Sequence, residues 1–203
     1  MHPCRFAVVA IVSALASHET ASAASMLQPI RTIGAPRQFV SACHHYAWLC
    51  GKASGHAMND AEAFALLGRV NARVNANVRQ ADDQSTTGKR DDWSLPVDGK
   101  GDCEDFALMK KKELIESGFR SDRLALTVVL DRGGNNHVVL MARLSDGDYV
   151  LDNLSGSVKS WERTGYTFVA RQSFEHQRVW QVILAGPRAS GIVAADRRAG
   201  NPE

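Results

Sequence analysis

The stretch "GDCEDFALMKKKELIESGFRSDRLALTVVL", residues 101–130, changes its period halfway along. Its first half carries Phe106, Ala107, Leu108, Met109, Leu114 and Ile115 at helical spacing. The spacing predicts a helix that starts near Cys103 and stops at Gly118, a residue suited to the left-handed position past a helix end. Lys110, Lys111 and Lys112 interrupt the apolar stripe and are expected on the solvent side, where positive charge suits the C-terminal half of the dipole. From Leu124 the pattern becomes β. "LALTVVL" is followed by the turn residues "DRGGNN", a second strand "HVVLMARL", the turn "SDG" and a third strand "DYVLDNL". Further strands are expected at "YTFVARQS" and "WQVILA". Helices first and strands afterwards predict an α+β domain, with helices packed against an antiparallel sheet.

Upstream, Asn59 or Asp60 can cap a helix running to about Gln80, with Leu66, Val70, Val74 and Val78 as its apolar stripe. Residues 81–101, "ADDQSTTGKRDDWSLPVDGKG", read as a long polar loop, acidic at both ends. Trp93 within it is a candidate wall of a substrate groove; a core aromatic pinning the loop is an equal alternative.

The chain ends bound the class. Residues 1–23 have one Arg, the apolar run "FAVVAIVSALA" and a small-residue "ASA" site, the pattern of an export signal too short to span a bilayer. The expected division is signal peptide 1–23, a single domain 24–185 and a disordered tail 186–203. No other stretch reaches membrane-spanning length. Removing residues 1–23 takes one Arg and one Glu, so the net charge stays at +2. Basic residues form no dense block, which argues against nucleic acid as a partner.

Cysteine usage sharpens this. After export, Cys43, Cys50 and Cys103 remain. Cys43 and Cys50 can close a small disulfide loop in an oxidising compartment, and zinc held by them with His44 or His45 lacks a compact spacing. Cys103 is then an odd thiol at a helix start, where backbone N–H groups and the dipole favour a thiolate. Asp102, Glu104 and Asp105 oppose ionisation. Asp102 can cap the helix and Asp105 can bond back to it, and a hard cation such as Ca²⁺ would neutralise the remainder. A base and an orienting acid are available further on. If residues 144–147 form a four-residue loop, Val139 pairs with Asp152 and His137 lies diagonally from it on the same face. A two-residue turn would leave His137 farther away.

"GDCEDFALMKKKELIESGF" followed by "HVVLMARLSDGDYVLDNL" resembles the bacterial transglutaminase-like cysteine proteinases, with "RVNARVN", "DDWSLP" and "YTFVARQS" in support. The resemblance runs from about Phe39 to Leu184. It implies a papain-like, transglutaminase-type α+β fold with Cys103 as nucleophile, His137 as base and Asp152 as orienter. It also implies Ca²⁺ on Asp102, Glu104 and Asp105, a periplasmic location and a protein substrate in the cell envelope, such as a surface adhesin. Export to the medium, acyl transfer by the same triad and a non-enzymatic ion-binding domain are the alternatives. No motif identifies a regulatory partner.

Overall fold

The computed structural model describes residues 25–193; the expected export segment lies outside them. In chain order the elements are β1 (Arg31–Ile33), α1 (Arg37–His45), α2 (Asp60–Asn77), β2 (Arg79–Gln80), α3 (Asp83–Thr86), β3 (Lys100–Gly101) and α4 (Cys103–Glu116). Then come β4 (Leu124–Leu130), β5 (Asn136–Arg143), β6 (Asp148–Asp152), β7 (Ser155–Ser160), β8 (Thr167–Gln172) and β9 (Trp180–Ala185). Seven strands form one antiparallel sheet in the order β1-β9-β8-β4-β5-β6-β7, and α2 and α4 pack on one of its faces. This is the expected helices-on-sheet arrangement. No described helix is long and apolar enough to cross a membrane.

The sheet separates two apolar clusters, and strand alternation assigns side chains to each. Leu124 and Leu126 of β4, with Val138, Leu140 and Ala142 of β5, face the helices. Ala125, Val129, Val139, Met141 and Phe168 face the other way, under Leu27 and Tyr166. β4 is apolar on both faces because both are covered, which explains its unbroken hydrophobic sequence.

Asn59 caps α2, its side chain accepting from the Glu62 N–H. The buried stripe of α2 is Ala63, Leu67, Val70 and Val74, rather than one running from Leu66 to Val78 in steps of four. Steps of four drift by about 40° each on a 3.6-residue helix, so alternating steps of three and four hold the face. The lysines of α4 also differ from expectation. Lys110 is 1 % exposed and Lys111 0 %, leaving Lys112 nearest the solvent side. α4 lies between α2 and the sheet, so only a narrow strip of it remains open, and consecutive residues turn through about 100°. The Lys111 ammonium is satisfied by Leu124 O and the Gln172 and Gln177 side-chain carbonyls. Burial brings both Lys110 and Lys111 down to about 7, with Asp152 pulling Lys110 the other way.

Two further expectations change. Residues 81–101 are not one loop: α3 and the parallel β2–β3 pair subdivide them. Of the tail expected over 186–203, residues 186–193 are packed, with Arg188 held by Thr167, Asp131 and Arg132 and residues 189–193 helical, while residues 194–203 lie outside the described residues.

The Cys43–Cys50 disulfide forms, tying α1 to the end of the following turn across a sequence separation of 7. A loop this short is worth about 2–3 kcal/mol through the unfolded chain. Cys43→Ser with Cys50→Ser should lower the melting temperature by roughly 5–10 °C. Calorimetry on the oxidised protein and the variant reads this directly; an unchanged transition would contradict it.

Candidate active site

The site begins where β3 meets α4. Gly101 is required there, because a Cβ at this position would lie 2.5 Å from Asp105 Oδ2. Asp105 folds back over Gly101 and accepts from the Ser94 N–H at 3.1 Å, so the acid at the helix start fastens the preceding loop. Asp102 occupies the N-cap position, but its side chain caps nothing, and its buried Oδ1 has no partner among the described residues. The expected cap is therefore absent, and this carboxylate is left available.

Cys103 is half-buried, and its thiol donates to Glu104 Oε2 at 3.0 Å. Burial, followed by the charge and hydrogen bond of Glu104, pushes the thiol well above its ordinary value, while the neighbouring Val138 N–H pulls it down. The depressed pKa expected from a helix start is thus reversed. With bare acids around it, the sulfur is held as a neutral thiol.

β5 and β6 carry the second part. Arg143 pairs with Asp148 and Leu140 with Leu151, and the Leu144 N–H donates to Gly147 O, so the connection is the four-residue loop. This register brings His137 Nε2 to 2.9 Å from Asp152 Oδ1, with both side chains buried. The carboxylate can only accept, so Nε2 carries the proton and the basic lone pair belongs to Nδ1. Asp152 Oδ1 also accepts from the Leu154 N–H at 3.0 Å, and Oδ2 from the Tyr166 hydroxyl at 2.6 Å. Burial pushes the Asp152 carboxyl up, but His137, Tyr166 and Leu154 outweigh it and hold it below its usual value. The Tyr166 ring stands edge-on to the imidazole, with centroids 5.9 Å apart.

His137 shares its strand face with Val139 and Met141, away from α4, whereas Cys103 packs with the helix-side cluster. The Val138 N–H, one residue after His137 in β5, bonds the thiol. No hydrogen bond joins the thiol to the imidazole among the described residues. The register thus unites His137 with Asp152, and the helix start brings the sulfur beside them without linking it.

The acids form a larger set than Asp102, Glu104 and Asp105. Asp83, Asp91 and Glu104 make one group whose oxygens lie within 4.8 Å of one another; Asp83, Asp102 and Asp105 make another. The three predicted acids are therefore divided between two groups joined through Asp83, which α3 supplies from the long loop. Burial, then mutual repulsion, raises Asp83, Asp102 and Glu104, and burial raises Asp105 to about 7. Asp83 Oδ1 and Asp102 Oδ1 are buried without a partner. Two all-oxygen groups that share Asp83 and carry orphaned lone pairs fit a hard divalent cation such as Ca²⁺.

Trp93 is 7 % exposed and meets Phe39 and Trp180 edge-on at 6.1 and 5.9 Å. It pins the loop to the core, and it also lines a surface pocket with His45, Tyr46 and Ser94. Sequence reasoning missed Asp83, Asp91 and Tyr166. The doublets at 82–83 and 91–92 signalled the first two, while Tyr166 follows only from the sheet order.

A thiol at a helix start against a sheet strand that begins with a carboxylate-held imidazole defines a cysteine peptidase of the transglutaminase-like type. The chain belongs to the bacterial transglutaminase-like cysteine proteinases, whose family model matches residues 30–187. Among solved structures it is similar to calcium-bound LapG of Legionella pneumophila, at 25% identity and a TM-score of 0.50, covering 68% of this chain and 80% of that one. A second LapG structure from Legionella pneumophila matches at 26% identity and a TM-score of 0.50, covering 68% and 77%. Comparison with curated proteins gave no match.

Proposed function

We propose that the protein is an exported, periplasmic cysteine endopeptidase that cuts a cell-envelope protein through Cys103, His137 and Asp152 and depends on Ca²⁺. The observation that carries the triad is the buried His137–Asp152–Tyr166 chain, set at the end of the strand whose next residue lies against the Cys103 sulfur. Asp152 fixes the imidazole with Nε2 protonated, so Nδ1 is the atom that takes the thiol proton. Attack of Sγ on a peptide carbonyl gives an oxyanion within reach of the Cys103 backbone N–H at the start of α4. His137 then returns the proton to the leaving amine, and water releases the acyl group. Catalytic contacts often tighten only with substrate bound, so the open thiol–imidazole gap is compatible with this role.

Asp83, Asp91, Asp102, Glu104 and Asp105 would hold the cation, which supplies charge neutralisation beside the sulfur. Glu104, once committed to the ion, no longer competes for the thiol proton. The calcium-bound form of the similar LapG supports this choice of metal. The periplasmic and envelope assignments rest on the signal pattern and on the family resemblance.

The test compares envelope proteins incubated with wild-type protein and with Cys103→Ala, reading new N-termini by mass spectrometry. Cleavage products present only with the wild type are expected. Identical N-termini in both samples would end the peptidase reading for these substrates, and amine-crosslinked products would replace it with acyl transfer.

A further inference from the structure

A cavity of about 290 Å³ opens beside the Asp152 carboxylate, and Tyr166, Arg132, Lys159, Ser157 and Leu154 share its lining. Ser157 and Lys159 are alternate residues of β7, so both point from the same face of that strand. Arg132 is anchored, its Nε donating to Thr164 O at 2.9 Å, which leaves the terminal nitrogens of the guanidinium free. Lys159 makes no hydrogen bond or ion pair among the described residues, and Arg132 makes no ion pair. The two acids on the wall are already engaged. Asp131 accepts from the backbone and side-chain amides of Asn135, and Asp152 is committed to His137, Tyr166 and Leu154. The cavity thus offers two unpaired cations, one held rigidly, next to Asp152 and Tyr166, the residues that hold the imidazole. Leu154, 64 % exposed at the rim, adds an apolar contact for a passing chain.

We propose that this cavity is a substrate subsite that selects an acidic side chain, with Arg132 and Lys159 receiving the carboxylate. The proposal rests on the peptidase reading and adds a substrate class to it. An anchored guanidinium suits a carboxylate because its planar donors match the two oxygens, and the hydroxyl of Ser157 can complete the set. A neutral amide of the same shape would leave both cations unpaired on binding, which is how such a site discriminates.

The experiment has two arms. In the first, a peptide library is digested with wild-type protein and with Lys159→Gln. Asp or Glu should be enriched at one position near the cut bond. Lys159→Gln should lower kcat/KM for a Glu-bearing peptide about tenfold, while the Gln-bearing counterpart changes less than twofold. Lys159→Glu should shift the preference toward Lys or Arg at that position. No acidic enrichment, or an equal loss on both peptides, would overturn the subsite. Lys159 holds no other group in place, so a folding defect is not expected of these variants, and Arg132→Gln serves as the second variant. In the second arm, Cys103→Ala binds fluorescent Glu- and Gln-bearing envelope peptides, followed by anisotropy. Tighter binding of the Glu peptide supports the subsite even if the wild type cleaves neither, and equal binding overturns it.

Discussion

Asp152→Asn should lower kcat by a factor on the order of 10³–10⁴ while leaving the fold and KM nearly unchanged, as loss of an orienting aspartate does in hydrolytic triads generally. Three donors converge on this buried carboxylate: His137 Nε2, the Leu154 N–H and the Tyr166 hydroxyl. An asparagine can keep its oxygen on His137 and Leu154 and turn its amide toward Tyr166, whose hydroxyl then accepts. The packing survives, but the negative charge that stabilises the imidazolium is gone. Tyr166→Phe removes only one of the three donors and should cost about tenfold or less. The pH dependence separates these cases further. Asp152 lies below its ordinary carboxylate value, so it stays ionised through the neutral range and does not set the acid limb of the rate profile. Steady-state kinetics on a cleaved peptide reads both variants. Asp152→Asn keeping more than about a tenth of the activity would remove Asp152 from its role as orienter.

What the sequence revealed follows from how local each feature is. The β5–β6 register depends on four loop residues and on alternation, so the His137–Asp152 contact could be posed as a choice between two turns. The Asn59 cap and the Gly118 exit of α4 are equally local: the cap accepts from Glu62, and Gly118 takes φ 87°. Burial of Lys110 and Lys111 could not be read this way. It depends on α4 being covered by α2 on one side and the sheet on the other, and the Lys111 partners come from β4, from the end of β8 and from the segment after it. Tyr166 was invisible for the same reason. It reaches Asp152 because the sheet curls residues 14 apart in sequence onto one face, across an order that alternation does not encode.

The acids show an intermediate case. Their presence next to Cys103 was plain, but capping and ion binding make the same demand on sequence: carboxylates at a helix start. The structure separates them, because a capping carboxylate bonds to backbone N–H groups and the Asp102 side chain does not. Asp83 enters because α3 and the β2–β3 pair bring it back to the start of α4, a contact the apparent loop concealed.

That cluster yields the prediction with the largest effect on stability. Without a cation, burial raises Asp83, Asp102, Glu104 and Asp105 above their ordinary values, Asp105 to about 7. Between the ordinary carboxylate pKa near 4 and the raised folded values, the folded state holds more protons than the unfolded one. Stability must then fall as pH rises through that window. In EGTA, the melting temperature should therefore drop by several degrees or more between pH 5 and pH 8, as repulsion grows among acids that cannot share a proton. Ca²⁺ binds the ionised cluster, so its stabilisation grows over the same range; at a hundred times Kd it contributes about 2.7 kcal/mol. The two curves should diverge with pH, and Mg²⁺, which prefers a tighter octahedral shell, should close the gap poorly. Asp83→Asn removes the residue common to both acidic groups. It should raise the melting temperature in EGTA at pH 8 and abolish most of the gain from Ca²⁺. Scanning fluorimetry across pH, with and without the ion, decides it. A melting temperature in EGTA that climbs from pH 5 to pH 8 would show that these carboxylates are not strained by one another's charge.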